Sequence, residues 1–230
     1  MIILEEDIRE AIFIKRPNRF QAYVILDEKE IMVHVPNTGR CKEILIPGSK
    51  VILRVGKTPN RKTPYDLIAV YKGEKLINID SQIPNKVVEE ALRYGKIEDL
   101  KKYDEIKREC KYGNSRFDFR LNNSEEEYYL EVKGVTLEED GHCRFPDAPT
   151  ERGTKHVLEL VELRKKGKGA GVIFLIQMSD MKSFRPNYET DKNFSEALKY
   201  AKSQGVDVFA YECIVDRNII ELNKEVTIDI

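Results

Sequence analysis

Two strand-like segments, Arg116-Phe-Asp-Phe-Arg-Leu121 and Tyr128-Tyr-Leu-Glu-Val-Lys-Gly134, decide the fold of this chain. Successive side chains of a β-strand point to opposite faces of the sheet. We therefore expect Phe117, Phe119 and Leu121 on one face, with the polar residues between them on the other. A short polar turn joins the two segments. This arrangement predicts two antiparallel neighbours in one sheet.

Three charged side chains, those of Asp118, Glu131 and Lys133, are expected to converge on the polar face of this strand pair. Two carboxylates and a strand carbonyl are hard oxygen ligands that suit Mg²⁺ or Mn²⁺. The lysine can position a water or stabilise charge on a phosphate. The alternative is a cross-strand ladder of ion pairs. The Glu-x-Lys spacing leaves both open, because it occurs three times, roughly as often as chance predicts.

The first 80 residues carry short alternating runs that are separated by turn signals such as Arg16-Pro-Asn18, Pro36-Asn-Thr-Gly39 and Pro47-Gly48. Long helical periodicity is not found there. Short strands at this spacing are typical of a small closed barrel, and about five or six of them fit an OB-like fold.

From residue 81 the pattern changes to helices that alternate with strands. The order α-β-β-β-α-β-α-β predicts one mixed sheet with helices on both faces. Gly171–Met178 is apolar throughout, as a buried central strand should be. The expected fold class is α+β, with residues 1–80 as an OB-like β-barrel and residues 81–230 as an α/β domain with a mixed central sheet.

The composition excludes several classes of protein. The chain has 230 residues, 39 of them Lys or Arg and 40 Asp or Glu, and 41% are hydrophobic, so it is neither a polycation nor disordered. Its apolar runs are too short for a membrane span, and no membrane partner is expected. We expect no secretory signal in the first residues, and four separated cysteines indicate reduced thiols. We expect a cytoplasmic location, and the chain is compatible with a homodimer.

Positive charge is concentrated in Arg40–Lys62, which contains seven basic residues and one acidic residue. Such a patch indicates a surface for a polyanion, although it also fits a solvated basic edge. The turn before it adds polar groups that can contact a phosphate. The nucleic-acid contacts expected from this half are Asn37, Thr38, Arg40, Lys42, Arg54, Lys57, Arg61 and Lys62.

A second group of polar residues surrounds the helix that follows residue 150. In one interpretation, Thr150, Arg152, Lys155 and His156 present hydrogen-bond donors and charge to a phosphate near the metal. In the other interpretation, Asp147 or Thr150 caps the helix and the remaining residues are solvated. The first interpretation makes these four residues, together with Arg116 on the strand, further nucleic-acid contacts.

Several long segments of the chain resemble the sugar fermentation stimulation protein family. These segments are Gly113–Leu121, Leu130–Gly134, Phe145–His156, Val35–Cys41 and Leu45–Gly48. The resemblance covers nearly the whole chain. It implies an N-terminal OB-like domain for nucleic-acid binding, and a C-terminal domain similar to PD-(D/E)xK nucleases.

The resemblance also implies the roles of the strand residues. Asp118, Glu131 and Lys133 fall on the nuclease motif and are the expected catalytic residues, with Asp118 and Glu131 as ligands of Mg²⁺ or Mn²⁺. The nuclease superfamily often adds an acidic residue. Glu89, Glu90 and Glu109 are the candidates for it.

The expected function is DNA binding with a divalent-metal site that hydrolyses phosphodiester bonds. One alternative is a DNA-binding transcriptional regulator of sugar (maltose) metabolism that does not cleave DNA. Another is an enzyme that processes RNA or nucleotides.

Overall fold

The structure is a computed structural model that describes residues 2–3, 7–56, 61–113 and 115–230. The strands of its first half are β1 (Ile2–Ile3), β2 (Ile8–Lys15), β3 (Gln21–Leu26), β4 (Lys29–His34), β5 (Lys50–Val55), β6 (Tyr65–Lys72) and β7 (Lys75–Asn78). Its second half contains α1 (Ile83–Arg93), β8 (Glu105–Tyr112), β9 (Ser115–Asn122), β10 (Glu127–Val135), β11 (Glu138–Glu139), β12 (His142–Phe145), α2 (Glu151–Lys165), β13 (Gly169–Ile176), β14 (Ser183–Pro186), α3 (Lys192–Ser203), β15 (Asp207–Val215), β16 (Ile219–Glu225) and β17 (Thr227–Ile228).

The first half folds into a closed barrel. Strands β4, β3, β2, β5 and β6 follow one another around it, and β7 extends β6 as a hairpin. A parallel pairing of His34 with Asp66 joins β4 to β6 and closes the barrel. In β3, the alternate residues Ala22, Val24 and Leu26 are buried while the residues between them face outward. The strict alternation therefore gives this barrel its apolar interior.

The second half is built on a mixed sheet with the order β1-β16-β15-β13-β10-β9-β8. The pairs β10–β13 and β13–β15 are parallel, and the remaining pairs are antiparallel. All eight residues of β13 are buried, as the apolar run predicts for a central strand. The fold class predicted from the sequence is confirmed: an OB-like barrel precedes an α/β domain with a mixed central sheet.

Helices cover both faces of this sheet. Helix α1 packs Val87, Val88 and Leu92 into one cluster of buried residues. Helices α2 and α3 contact each other and pack on the opposite face, in the cluster that contains Val157 and Phe194. No helix in the described ranges has the length and apolar character that a membrane span requires.

Burial alternates along β9, but Phe117 packs in a different cluster from Phe119 and Leu121, which corrects one expectation. Phe119 and Leu121 face the α1 side, as expected of neighbours two residues apart. Phe117 instead belongs to the cluster on the α2 side, where its ring lies 5.8 Å from the ring of Tyr129 and 5.9 Å from that of His156. The pairing of β9 with β10 ends at Phe119, so Phe117 lies beyond the part of β9 that β10 pairs with.

A small sheet with the order β11-β12-β14-β17 was not expected from the sequence. Its strands contain four residues or fewer. Segments this short have no measurable period, and so hydrophobic patterning cannot detect them.

The barrel and the second half are joined by polar contacts and by apolar packing. The backbone N–H of Asn78 donates to the Gln177 carbonyl at 3.0 Å, and the Gln177 amide donates back to Asn78 Oδ1 at 2.9 Å. The Lys72 ammonium lies 2.7 Å from a carboxylate oxygen of Glu138. One cluster of buried residues contains both Val24 of the barrel and Phe174 of β13. The two halves therefore share a continuous core.

Candidate active site

Asp118 is fixed beside β10 at the point where the pairing of β9 and β10 ends. Its Oδ2 atom accepts a hydrogen bond of 2.8 Å from the backbone N–H of Val132. The carboxylate thus takes the place of a strand carbonyl in the ladder. Because Val132 follows Glu131 directly, this bond holds the two acidic residues next to each other, as the sequence predicts.

A second contact to Asp118 comes from Asn85, near the start of α1. The Asn85 side-chain amide donates to Asp118 Oδ1 at 2.7 Å. Burial raises the pKa of Asp118 to about 6, and the negative charge of Glu131 adds to the increase. Sequence reasoning missed Asn85, because a lone asparagine after a proline at a helix start carries no motif.

The Glu131 carboxylate is held by the side chains of Lys133 and His156. Its Oε1 atom lies 2.6 Å from Lys133 Nζ and 2.6 Å from His156 Nδ1. Burial alone would raise the pKa of Glu131, but the hydrogen bond from His156 and the charge of Lys133 outweigh it and lower that pKa. The Glu131 carboxylate is therefore kept ionised although its side chain is only 4% exposed.

The other oxygen of this carboxylate, Glu131 Oε2, is buried and lacks a hydrogen-bond partner among the described residues. An unpaired buried carboxylate oxygen is costly. A divalent cation between Glu131 and Asp118 would provide a partner for it and would offset the repulsion of the two charges. Oxygen donors of this kind suit Mg²⁺, Mn²⁺ and Ca²⁺, so the residues present fit a hard metal ion.

The protein supplies only part of such a coordination shell. Within the described ranges, there is no group of three or more His, Cys, Asp or Glu side chains that could hold a metal ion. Two carboxylates leave most positions of a six-coordinate ion to water or to substrate oxygens. That is the arrangement that a metal ion needs in order to meet a phosphate directly.

The three acidic residues considered for a further ligand lie in ion pairs. Glu89 pairs with Arg93 at 2.8 Å and with Arg108 at 3.2 Å. Glu90 lies 3.7 Å from the ammonium of Lys96. Glu109 is bound to Arg116 on the exposed surface of β8 and β9. On α1 it is Asn85, one turn before Glu89, that contacts Asp118.

Close packing around Gly134 brings α1 against the end of β10. A Cβ atom at this position would lie 2.8 Å from Pro84 Cγ and 2.5 Å from Gln177 Oε1. Real Cβ contacts are longer than this. A residue without a side chain therefore lets Asn85 reach Asp118.

The start of α2 contributes to the site in an unexpected way. Thr150 caps the helix, since its hydroxyl accepts from the N–H of Gly153 at 3.0 Å. Arg152 and Lys155 are exposed and can meet a phosphate. His156 is 4% exposed and binds Glu131, so the expectation that it contacts nucleic acid is corrected.

The basic residues of the first half divide into two groups. Arg54 and Arg61 are turned inward: both guanidinium groups bind Asp66, and Arg54 also binds Asp80 at 3.0 Å. These two arginines stabilise the closing seam of the barrel, so the expected phosphate role is corrected for them. The side chains of Thr38, Arg40, Lys42 and Lys62 are exposed. Lys57 lies outside the described residues.

Asn37 shapes the turn that precedes this basic segment. Its amide donates to the Ile79 carbonyl at 2.7 Å, and its Oδ1 accepts from the N–H of Gly39 at 2.7 Å. The Asn37 side chain, which was expected to contact a phosphate, thus forms its hydrogen bonds with backbone groups. It holds Thr38 and Arg40 at the surface.

Comparison with known proteins gives matches along nearly the whole chain. A family model described as the SfsA N-terminal OB domain matches residues 14–79. A second, described as the sugar fermentation stimulation protein RE domain, matches residues 82–219.

Individual relatives agree with this assignment. A sugar fermentation stimulation protein homolog of Clostridium tetani (strain Massachusetts / E88) is 68% identical over 228 residues, which cover 99% of each chain. Another, of Clostridium perfringens (strain 13 / Type A), is 66% identical over 222 residues and 96% of each chain. The structure of Pyrococcus furiosus SfsA in complex with Ca²⁺ superimposes over 100% of both chains with a TM-score of 0.90 and 29% identity. The chain belongs to the sugar fermentation stimulation protein family.

Proposed function

We propose that this chain binds DNA and hydrolyses its phosphodiester bonds at a divalent-metal site formed by Asp118 and Glu131. One observation carries the proposal: the buried carboxylate of Glu131 lies close to the half-buried carboxylate of Asp118, and Glu131 Oε2 has no partner among the described residues. The Pyrococcus furiosus relative in complex with Ca²⁺ supports a divalent ion in this fold. Mg²⁺ and Mn²⁺ share its preference for oxygen ligands.

Each residue of the site has a chemical role in this proposal. Bound Mg²⁺ or Mn²⁺ supplies an acidified water and offsets the charge of the phosphate. Asp118 is held in place by Asn85 and by the N–H of Val132. Lys133 lies at the edge of the pair, where its ammonium group can orient a water or stabilise negative charge on the phosphate.

The two halves, with a boundary at about residue 80, would have different roles. The barrel, which matches an OB domain model, would bind the nucleic acid. Around α2 and on β9, Arg152, Lys155 and Arg116 are exposed and can contribute phosphate contacts. The second half would then carry out the hydrolysis.

The alternative is a regulator of sugar metabolism that binds DNA without cutting it. The description of the family refers to sugar fermentation. The described part of the chain shows no feature that favours this alternative over hydrolysis. An enzyme that acts on RNA would use the same site, and for this reason RNA is one of the substrates in the cleavage test.

The test is cleavage of single-stranded DNA, duplex DNA and RNA by the purified protein with Mn²⁺, Mg²⁺ or EDTA. We expect metal-dependent cleavage that EDTA abolishes, and a loss of about 10²-fold or more in Asp118→Asn. Asp104→Asn, an exposed aspartate at the start of β8, is the matched control. Retained DNA binding without cleavage of any substrate would favour the regulator.

A further inference from the structure

A cleft on the barrel, lined by residues of the 13–19 and 40–47 segments, concentrates positive charge outside the site described above. Its volume is about 460 Å³, and five basic side chains but no acidic side chain line it: Lys15, Arg16, Arg19, Arg40 and Lys42. We infer that this cleft, here called the barrel cleft, binds the backbone phosphates of single-stranded DNA. The inference deepens the proposed function, on which it rests, by locating the surface that holds the substrate.

Arg16 builds the barrel cleft. Its guanidinium group donates to the carbonyls of Arg19 at 2.7 Å, Asn37 at 2.6 Å and Arg40 at 2.7 Å. These bonds join the two loops that form the walls. Because the partners of Arg16 are carbonyls, its positive charge is not cancelled by a carboxylate.

The other four cations also keep their charge available. Lys15, Arg19, Arg40 and Lys42 form no ion pair with any residue in the described ranges, although most other Lys and Arg residues there do. Lys15 lies over the ring of Tyr23, 4.9 Å from its centroid. The nearby carboxylates, Glu43 and Asp147, act on the buried Cys41 thiol and do not line the cleft. An uncompensated cluster of this kind attracts a polyanion.

The apolar part of the wall of the barrel cleft favours single-stranded DNA over duplex DNA. Leu45 and Pro47 line the barrel cleft beside the cations, and Phe20, which follows the lining residue Arg19 in the sequence, is 57% exposed. Proteins that bind single strands combine a basic groove with apolar or aromatic surfaces that contact unpaired bases. The bases of a duplex are stacked and paired, and so they do not reach such a wall.

One loop separates the barrel cleft from a cavity between the two halves of the chain. The loop from Asn37 to Arg40 borders two cavities: Arg40 lines the barrel cleft, and Asn37 lines a smaller cavity between the two halves. That second cavity, of about 170 Å³, is also lined by Pro84 and Gly134. These residues adjoin Asn85 and Lys133 in the sequence. The loop from Asn37 to Arg40 therefore lies between the barrel cleft and a cavity whose lining includes sequence neighbours of Asn85 and Lys133.

The test is binding of a fluorescent oligothymidylate to the full-length protein, with Arg19→Glu/Lys42→Glu as the variant. We expect its affinity to fall at least about 10-fold, and the slope of log affinity against log salt to decrease by about 1.4 for two lost phosphate contacts. Lys29→Glu/Lys199→Glu changes two exposed lysines elsewhere by the same charge and should bind as the wild type does. Arg16 is left intact because it shapes the loops.

Three results would overturn the inference: equal affinity of the variant and the wild type, an equal loss in the control, or tighter binding of a duplex or RNA oligomer of the same length. Displacement of the oligomer by low-millimolar inorganic phosphate would also overturn it, since it would indicate a site for a free anion. Asp118→Asn should bind the oligothymidylate normally in EDTA. A variant with intact binding and no cleavage would thus separate a correct cleft from a failed catalytic proposal.

Discussion

His156 acts on the candidate site through Glu131. It comes from α2, 25 residues further along the chain, and its Nδ1 atom lies 2.6 Å from Glu131 Oε1. A buried histidine in this position fixes the orientation of the carboxylate and favours its ionised form. The ring is packed against Phe117, which holds it in place.

We expect His156→Ala to weaken Mn²⁺ binding by about 10- to 100-fold, because residues that orient a metal-binding carboxylate have effects of this size. Titration calorimetry with Mn²⁺ measures the change, and circular dichroism checks that the variant is folded. Lys155→Ala, an exposed neighbour on the same helix, should bind Mn²⁺ as the wild type does. Equal Mn²⁺ affinity in both variants would show that His156 does not position the ligand.

Lys133→Ala tests the second partner of Glu131. Its ammonium group is not a metal ligand, so we expect DNA binding to remain within about twofold while the cleavage rate falls by about 10²- to 10³-fold. Single-turnover cleavage and oligonucleotide binding measured on the same preparation separate the two effects. Cleavage at the wild-type rate would exclude the assigned role.

At the scale of the elements, the barrel is closed by a network of charged side chains on neighbouring strands. Asp66 on β6 binds His34 on β4 at 2.8 Å, Arg54 on β5 at 3.2 Å and Arg61 at 2.6 Å. His34 and Asp66 also form the single backbone pairing between β4 and β6. The network therefore stabilises the seam where the barrel has the fewest backbone contacts.

This network makes the stability of the barrel dependent on pH. Burial alone would raise the pKa of Asp66, but hydrogen bonds from Arg61, His34 and Arg54 outweigh it and lower that pKa to about 2. A lowered carboxyl pKa contributes stability above the unfolded value near 3.8, and this contribution is lost as the pH falls towards 2. We expect Asp66→Asn to reduce the free energy of unfolding by about 2 kcal/mol at pH 7.

Urea unfolding between pH 2 and pH 7 measures this difference. The gap between wild type and Asp66→Asn should close as the pH falls below about 4. Asp104→Asn, on the exposed surface, should lose little stability at either end of the range. A gap that stays constant with pH would mean that the effect comes from packing.

At the scale of the whole molecule, the two halves share one buried core. The cluster of buried residues that fills the barrel continues under β13, and Asn78 and Gln177 exchange hydrogen bonds across the boundary. Both amide groups lie in a buried environment, where a lost partner is costly. Separating the halves would expose this shared core to water.

We therefore expect a single thermal transition, with equal calorimetric and van't Hoff enthalpies, although the chain matches two family models. Gln177→Ala should lower the melting temperature of that transition, because it removes the buried hydrogen bonds that the Gln177 amide donates to Asn78 Oδ1 and to the Asp80 carbonyl. Gln204→Ala, an exposed position after α3, is the control. Two resolved transitions in the wild-type protein would show that the halves unfold independently.

The class of the fold could be predicted from local patterns in the sequence. These are the alternation with a period of two in β3 and the unbroken apolar run in β13. Because these signals lie within a few residues, they do not depend on how distant segments pack. The strand pattern also placed Asp118 and Glu131 on neighbouring strands, whereas their role as metal ligands was implied by the family resemblance and stays a prediction. The cluster that Phe117 joins and the short strands of the small sheet were missed because they produce no period.

Only the tertiary structure decided which groups surround the acidic pair. Asn85 lies 33 residues before Asp118, and His156 lies 25 residues after Glu131. The same packing turned Arg54 and Arg61 towards Asp66 and left Arg19 and Arg40 beside the barrel cleft. The sequence alone does not separate the roles of these arginines, because each is only a basic residue near a turn or the end of a strand. Their roles differ because a buried carboxylate can be paired only by the side chains that folding brings within hydrogen-bond distance.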